Sequence, residues 1–472
     1  MPESHTPVDE SLENRLAPRA AGGTGQGPVP VRRNLRASLL DAGLFSVMVG
    51  LGETFFSAYV LALDGGEIAA GLIIALPLLA GACLQLLAPW IVRRWVRHQN
   101  WVVATAVLQA ISLLIMPLAQ WAGSYAVAVA FAAATVYWGA GLSSGPAWNT
   151  WIEGIVPRRM RTRFFALRVR ISQACILGGF VLGGFSLQFG QQSGATLQWF
   201  TAIFLVSAGC RLASAWHLSR HRECPRRGVS ERHVSWGQLV RGGQTVSSRR
   251  LLIYLFAVQV AVYISGPYFA PFILSKLEIS YRTYALLIGL TFVGKVLALP
   301  AWGRLAHYSS PRRLLWIGGV SIVPISGLWM VSQSLPFLAV LQLAGGVTWA
   351  AYELAIVLLF FESIPREERT SVLTIYNFGN SLAQVVGALA GAWWLREFGR
   401  SVDSYLWLFV ASSVARATTT ALLARIPAAR PIDERLESPS VVPAPALHRS
   451  RPATGTLSSA SATALAPREQ AS

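Results

Sequence analysis

The chain has 472 residues, 53% of them hydrophobic and 13% charged, with a formal net charge of +18. Soluble domains carry roughly 25% charged residues; with a mean hydropathy of +0.46, this composition excludes a single soluble globule, and the long apolar runs exclude disorder in the middle of the chain. All but two of its 40 basic residues are arginines, the exceptions being Lys276 and Lys295, and they cluster in short loops between apolar runs, which points to a membrane and not to a nucleic-acid partner.

Residues 1–36 are polar and lack an apolar h-region, so a disordered N-terminus without a cleavable signal peptide is expected. Twelve apolar runs follow, at about 37–62, 68–92, 100–121, 124–148, 168–190, 196–218, 250–275, 281–305, 313–333, 335–361, 371–396 and 403–425. Each is close to the roughly 20 residues a helix needs to cross the bilayer core. Strands are excluded because an open sheet edge cannot face lipid. The expected fold is therefore an all-α integral membrane protein with twelve transmembrane helices. The runs divide into a six-helix bundle at 37–218, a basic cytoplasmic linker at 219–249 and a second six-helix bundle at 250–425, and the Pro/Ser/Ala-rich segment 426–472 reads as a disordered cytoplasmic tail.

The arginines alternate with the spans. One side receives Arg32, Arg33 and Arg36, then Arg93, Arg94 and Arg97, then Arg158, Arg159, Arg161 and Arg163, the linker arginines, Arg304, Arg312 and Arg313, Arg366 and Arg369. The other side has Asp64 and Glu67, uncharged loops, and Lys276, Arg282, Arg396 and Arg400 with acids nearby. Positive loops stay in the cytoplasm, so both termini are expected there, in a multi-pass protein of the plasma (inner) membrane. Cys83, Cys175, Cys210 and Cys224 have no paired spacing and read as free thiols; neither a metal nor a cofactor is expected.

Two loop motifs recur. Glu153-Gly-Ile-Val-Pro157-Arg-Arg-Met-Arg161-Thr162 after the fourth span is matched by Glu362-Ser-Ile-Pro365-Arg-Glu-Glu-Arg369-Thr370 after the tenth. Pro89-Trp90 with Arg93-Arg94 after the second span is matched by Pro300-Ala-Trp302-Gly303-Arg304 with Arg312-Arg313 after the eighth. Duplicated halves of this kind are common in transporters.

On these motifs, residues 37–425 resemble the major facilitator superfamily of secondary transporters. The family's loop after the second and eighth spans reads Gly-x-Leu-Ala-Asp-Arg-x-Gly-Arg-Arg; Gly303-Arg304-Leu305-Ala306-His307 with Arg312-Arg313 follows it with His307 in the Asp place, and the first copy has Val92 there. The resemblance implies two six-helix bundles around a central cavity lined by spans one, four, seven and ten. The family's drug–proton antiporters carry an Arg in span four and a Gly-Pro in span five; residues 124–148 hold no Arg, and Gly178-Gly179 and Gly183-Gly184 are followed by no proline. A multidrug antiporter is therefore not favoured, and the glycines read as close helix packing.

A charge inside a bilayer costs several kcal/mol and needs an explanation. Glu53 in span one, Lys295 in span eight and Glu353 in span ten are the clearest cases. Glu53 is read as a proton carrier, and Lys295 and Glu353 as a breakable ion pair in the cavity. Tyr137, Trp138, Trp349, Tyr376, Asn377 and Asn380 complete the candidate cavity, with Tyr263 and Tyr268 of span seven nearby. Asp41, Arg93, Arg94, Glu153, Arg161, Arg304, Arg312, Arg313, Glu362 and Arg369 are candidates for a cytoplasmic gate, in which Glu153/Arg161 and Glu362/Arg369 tie the halves together. Arg211 and Arg416, near span ends, are expected to snorkel to the interface.

No phosphate loop of the Gly-x-x-x-x-Gly-Lys-[Ser/Thr] type is present. The seven histidines are scattered, which argues against a membrane-embedded transferase. The reading is a monomeric secondary transporter of a small-molecule organic substrate, coupled to a proton or other ion and with the lipid bilayer as its surroundings. A transporter-fold sensor that binds without moving its ligand stays open.

Overall fold

In hydrocarbon every backbone N–H and C=O must be satisfied within the segment, so each apolar run becomes a helix. The computed structural model describes residues 31–94, 98–155, 161–220, 246–363 and 369–424; the polar N-terminal segment, most of the basic linker and the C-terminal tail lie outside the described residues. Twelve helical rods follow in chain order: α1 (31–62), α2 (Gly66–Arg94), α3 (His98–Trp121), α4 (Ala126–Ile155), α5 (Arg161–Gln192), α6 (Thr196–Ser219), α7 (246–276), α8 (Tyr281–Tyr308), α9 (Pro311–Met330), α10 (Leu335–Ser363), α11 (Arg369–Glu397) and α12 (Val402–Ala424). Eleven are long and apolar enough to cross a membrane; α11, which carries Asn377, Asn380, Ser381 and Gln384, is the exception.

Local chemistry sets several boundaries. Ser280 and Ser310 cap α8 and α9, their hydroxyls accepting from the backbone N–H of Thr283 and Arg313, and Pro311 occupies the first turn of α9, where its missing N–H costs nothing. Two rods are broken in the same way. In α1 the α-helix stops at Leu51 and a 3₁₀ turn, Glu53–Phe55, intervenes before Phe56–Ala62. In α7 it stops at Ser265 and a 3₁₀ turn, Gly266–Tyr268, follows. Such a mid-helix 3₁₀ stretch tightens the chain and re-aims its side chains.

Lipid tails are as apolar as Leu, so small residues that let backbones approach decide how these rods pack. At the α1–α5 crossing, Gly179 faces the Val47 carbonyl and Gly183 the Phe55 ring; at α7–α11, Gly387 faces the Val260 carbonyl and Gly391 the Tyr268 ring. At α2–α4, Gly81 lies on the backbone of Trp138 and Gly139; at α8–α10, Gly294 lies on Leu343 and Gly346 on Thr291. The glycines of α5 thus serve helix packing, with Gly184 against Ala285 of α8 as well, whereas Gly178 faces open space. The two sets of six rods repeat one packing plan. They meet through α2 with α11 and α5 with α8.

That meeting is uneven along the molecule. At the end away from the chain termini one core draws on both sets, with Phe55, Tyr59, Phe180 and Phe200 in the same cluster as Tyr268, Phe272, Tyr284 and Tyr405. Toward the termini the cores separate: Val102, Trp151, Ile152 and Leu218 form one cluster, and Leu251, Tyr254, Leu314 and Tyr352 another. Among the described residues the buried cores of the halves merge at one end and are separate at the other, where α1 begins and α12 ends.

Candidate functional site

The break in α1 places Glu53 where the rod leaves regular helix, partly exposed between the halves. Its Oε2 accepts a 2.6 Å hydrogen bond from Tyr137 Oη of α4. Tyr137 is 1% exposed and is held edge-on by Phe56 and by Trp138, at 5.2 and 5.7 Å between ring centroids. The structure therefore brings Glu53, Tyr137 and Trp138 together. Among the described residues no cation forms an ion pair with Glu53; its carboxylate is met by a neutral phenol. The Trp138 indole N–H is buried without a partner.

Lys295 of α8 and Glu353 of α10 also meet, Nζ to Oε1 at 2.7 Å, with side chains 24% and 52% exposed. The α8–α10 crossing at Gly294 sets this contact, because Lys295 is its chain neighbour. Trp349 packs edge-on against Tyr352 at 5.7 Å, and Tyr376 stacks on Phe256 at 5.9 Å. Asn377 and Asn380 are partly exposed on α11, one turn apart. These groups belong to the second half.

The gate candidates fare differently. Asp41 is 3% exposed and is bound inside its own half: Arg168 Nη2 of α5 lies 3.2 Å from Oδ2, and Ser214 Oγ of α6 donates to Oδ1 at 2.7 Å. Arg211 does not snorkel. It is 4% exposed, donates to Ser214 Oγ at 2.9 Å and Gln109 Oε1 at 2.8 Å, and lies over the Phe45 ring. Arg416 does not snorkel either: it is 3% exposed and donates to the Ile322 carbonyl and Ser265 Oγ. Both arginines point into the helix bundle because small and hydroxylated neighbours there give a guanidinium acceptors that lipid cannot. Arg304 and Arg313 are exposed, and Arg312 Nε is buried without a partner. The side chains of Arg93, Arg94, Glu153, Arg161, Glu362 and Arg369 lie outside the described residues.

A further cluster at the joined end was not singled out from the sequence. Glu67, at the start of α2, has both oxygens engaged by the second half: Lys276 Nζ at the end of α7 is 2.7 Å from Oε1, and Tyr405 Oη of α12 donates to Oε2 at 2.8 Å. The available signal was that Glu67 and Lys276 are opposite charges in the sparsely charged loops of one face; nothing in the sequence pairs them.

The chain from residue 251 to 466 matches the family model of the Major Facilitator Superfamily. Solved structures of transporters match nearly the whole fold. A point mutant of the nucleoside transporter NupG is 12% identical with a TM-score of 0.63, covering 83% of this chain and 99% of its own. A bacterial homologue of the iron transporter ferroportin in an inward-facing state is 15% identical with a TM-score of 0.63, covering 84% and 99%. A D-xylose–proton symporter is 16% identical with a TM-score of 0.60, covering 82% and 96%. No curated protein sequence matches the chain significantly.

Proposed function

We propose that the chain is a multi-pass membrane transporter of the Major Facilitator Superfamily, whose model its residues 251–466 match, and that it moves a small organic solute by alternating access, with a proton as the coupling ion. The observation that carries this reading is Glu53: a carboxylate on a helix break, partly exposed between the halves and held by one neutral donor, Tyr137. A carboxylate in hydrocarbon is costly when charged and far less so when protonated. Protonation from one face would therefore let the halves close around Glu53, and opening to the other face would rehydrate it and release the proton. Solute binding against Glu53 couples the two events.

The arginine-rich loops support a cytoplasmic location for both termini, and on this reading the end where the two cores separate faces the cytoplasm, in a plasma (inner) membrane. On this reading Lys295 and Glu353, both accessible, line the cavity, where a solute with an ionic group competes for either partner. The aromatic walls at Tyr137, Trp138, Trp349 and Tyr376 suit an amphipathic organic molecule.

The test begins by identifying a solute through thermal stabilisation of the detergent-purified chain, since binding to the folded form raises its melting midpoint. Uptake of that solute into reconstituted vesicles is then measured with and without a pH gradient. Glu53→Gln should fold, bind and lose the response to the gradient. Uptake in that variant that still follows the gradient would remove Glu53 from coupling.

A further inference from the structure

The chain enters α3 just after Arg93, Arg94 and Arg97, and leaves α6 into Arg220, Arg222, Arg226 and Arg227. Residues 93–104 hold no acid, and residues 216–230 hold only Glu223. The two rods are antiparallel, bonded through Gln120 and Thr201 at one end and through Gln99 at the other. There Gln99 Nε2 donates to the Leu218 and Ser219 carbonyls at 3.2 and 2.9 Å, which satisfies acceptors that the end of α6 leaves open.

Beside this contact lies a cavity of about 330 Å³, lined by Gln99, Asn100, Val103 and Ala104 of α3 and by Ser219 of α6. Arg220 follows Ser219 directly, and its guanidinium lies 3.6 Å over the Trp216 ring; both side chains are exposed. Tryptophan favours the boundary between membrane and water, and an arginine stacked on its ring is held at that level. From the cavity the surface turns apolar. Ala104, Leu108 and Ile111 form an exposed stripe at helical spacing on α3, as do Trp216, Leu212 and Leu205 on α6. Within the second stripe, a Cβ at Gly209 would meet no atom within 4 Å.

We propose that this recess binds one phospholipid with an anionic headgroup, from the leaflet on the arginine-rich side of the membrane. The headgroup occupies the cavity, which is at the small end of the roughly 300–1,000 Å³ of ligand sites, and the acyl chains lie along the two apolar stripes. Arg220 faces the phosphate, while the Asn100 amide and Ser219 hydroxyl offer hydrogen bonds to the polar remainder. Basic recesses between transmembrane helices on the arginine-rich side suit anionic headgroups in this way. A headgroup seated here touches both rods, so its binding stabilises the first half.

The test uses the full-length protein, stripped of lipid in detergent. Native mass spectrometry measures the apparent affinity for the first molecule of phosphatidylglycerol, or of phosphatidylcholine with the same acyl chains, and thermal unfolding gives the midpoint with each. The parent should bind phosphatidylglycerol more tightly and gain more stability from it. Arg220→Gln should weaken that binding about fivefold, the share of one interfacial arginine. Ala104→Trp fills the cavity and should weaken it at least as much. Arg170→Gln, which removes an exposed arginine of α5, should keep the parent affinity. Equal affinity for the two lipids, or parent affinity in both Arg220→Gln and Ala104→Trp, would overturn the site. So would an equal gain in midpoint from glycerol 3-phosphate, which would mark a site for free phosphate esters in place of a lipid. Should Ala104→Trp melt early without lipid, Arg220→Gln, a change at an exposed side chain, decides alone.

Discussion

Glu53 and the Lys295–Glu353 pair illustrate two settings for a charge within a transmembrane rod. Glu53 has a buried phenol as its hydrogen-bond donor, so the cost of its charge is only partly offset and a proton can remove it. Lys295 and Glu353 offset one another, and water reaches both, the glutamate being 52% exposed. An ion pair this exposed contributes about 1 kcal/mol or less to stability. On the proposed mechanism its consequence is in transport, where a cavity shutting around it would make a lone charge costly. Lys295→Ala and Glu353→Ala should each slow vesicle uptake, while the double variant recovers part of the loss and all three melt within a few degrees of the parent. Uptake losses that simply add would show that the two act separately.

At the scale of the element, α1 and α7 are equivalent rods given different charge. Both break at a 3₁₀ turn and both pack on a glycine-bearing partner. Yet α1 carries Asp41 in a buried network with Arg168, Ser214, Arg211 and Gln109, whereas the corresponding place on α7 is Tyr254, whose hydroxyl is buried without a partner. Arg416 accordingly has hydroxyl and carbonyl acceptors and, among the described residues, no carboxylate. Removing one member of a buried ionic network costs about 3–5 kcal/mol, whereas replacing a buried charge by an apolar group of similar volume can be neutral or stabilising. Asp41→Ala should therefore lower the melting midpoint markedly and Arg416→Leu should change it little. Equal losses in thermal unfolding would mean that Arg416 is tied as firmly as Asp41.

For the whole molecule, the decisive asymmetry is one shared core at the end away from the termini and two separate cores near them. The Glu67–Lys276–Tyr405 contact sits at the joined end and crosses between halves, so opening that end requires it to break. Lys276→Glu places two carboxylates together and should favour opening there; Glu67→Lys combined with Lys276→Glu restores an attractive pair. In vesicles of known orientation, a cysteine at Asn380 in a background freed of native cysteines should label faster from the face opposite the termini in Lys276→Glu, and return toward the parent rate in the exchanged double variant. Unchanged labelling in Lys276→Glu would show that the apolar core alone holds this end shut.

The twelve rods, and that Glu53, Lys295 and Glu353 lie within them, were legible in the sequence alone. Crossing hydrocarbon is a demand each segment meets by itself, through its length and its internal hydrogen bonds, so it leaves a mark in every segment. Which side chains meet was not legible. The Tyr137 bond to Glu53, the burial of Arg211 and Arg416, the Glu67 contact and the separation of the two cores near one end all depend on how each rod is rotated against rods far away in the chain. That rotation is decided by close approach at glycines such as Gly183, Gly294 and Gly391, and a glycine in a sequence does not say which backbone it will touch.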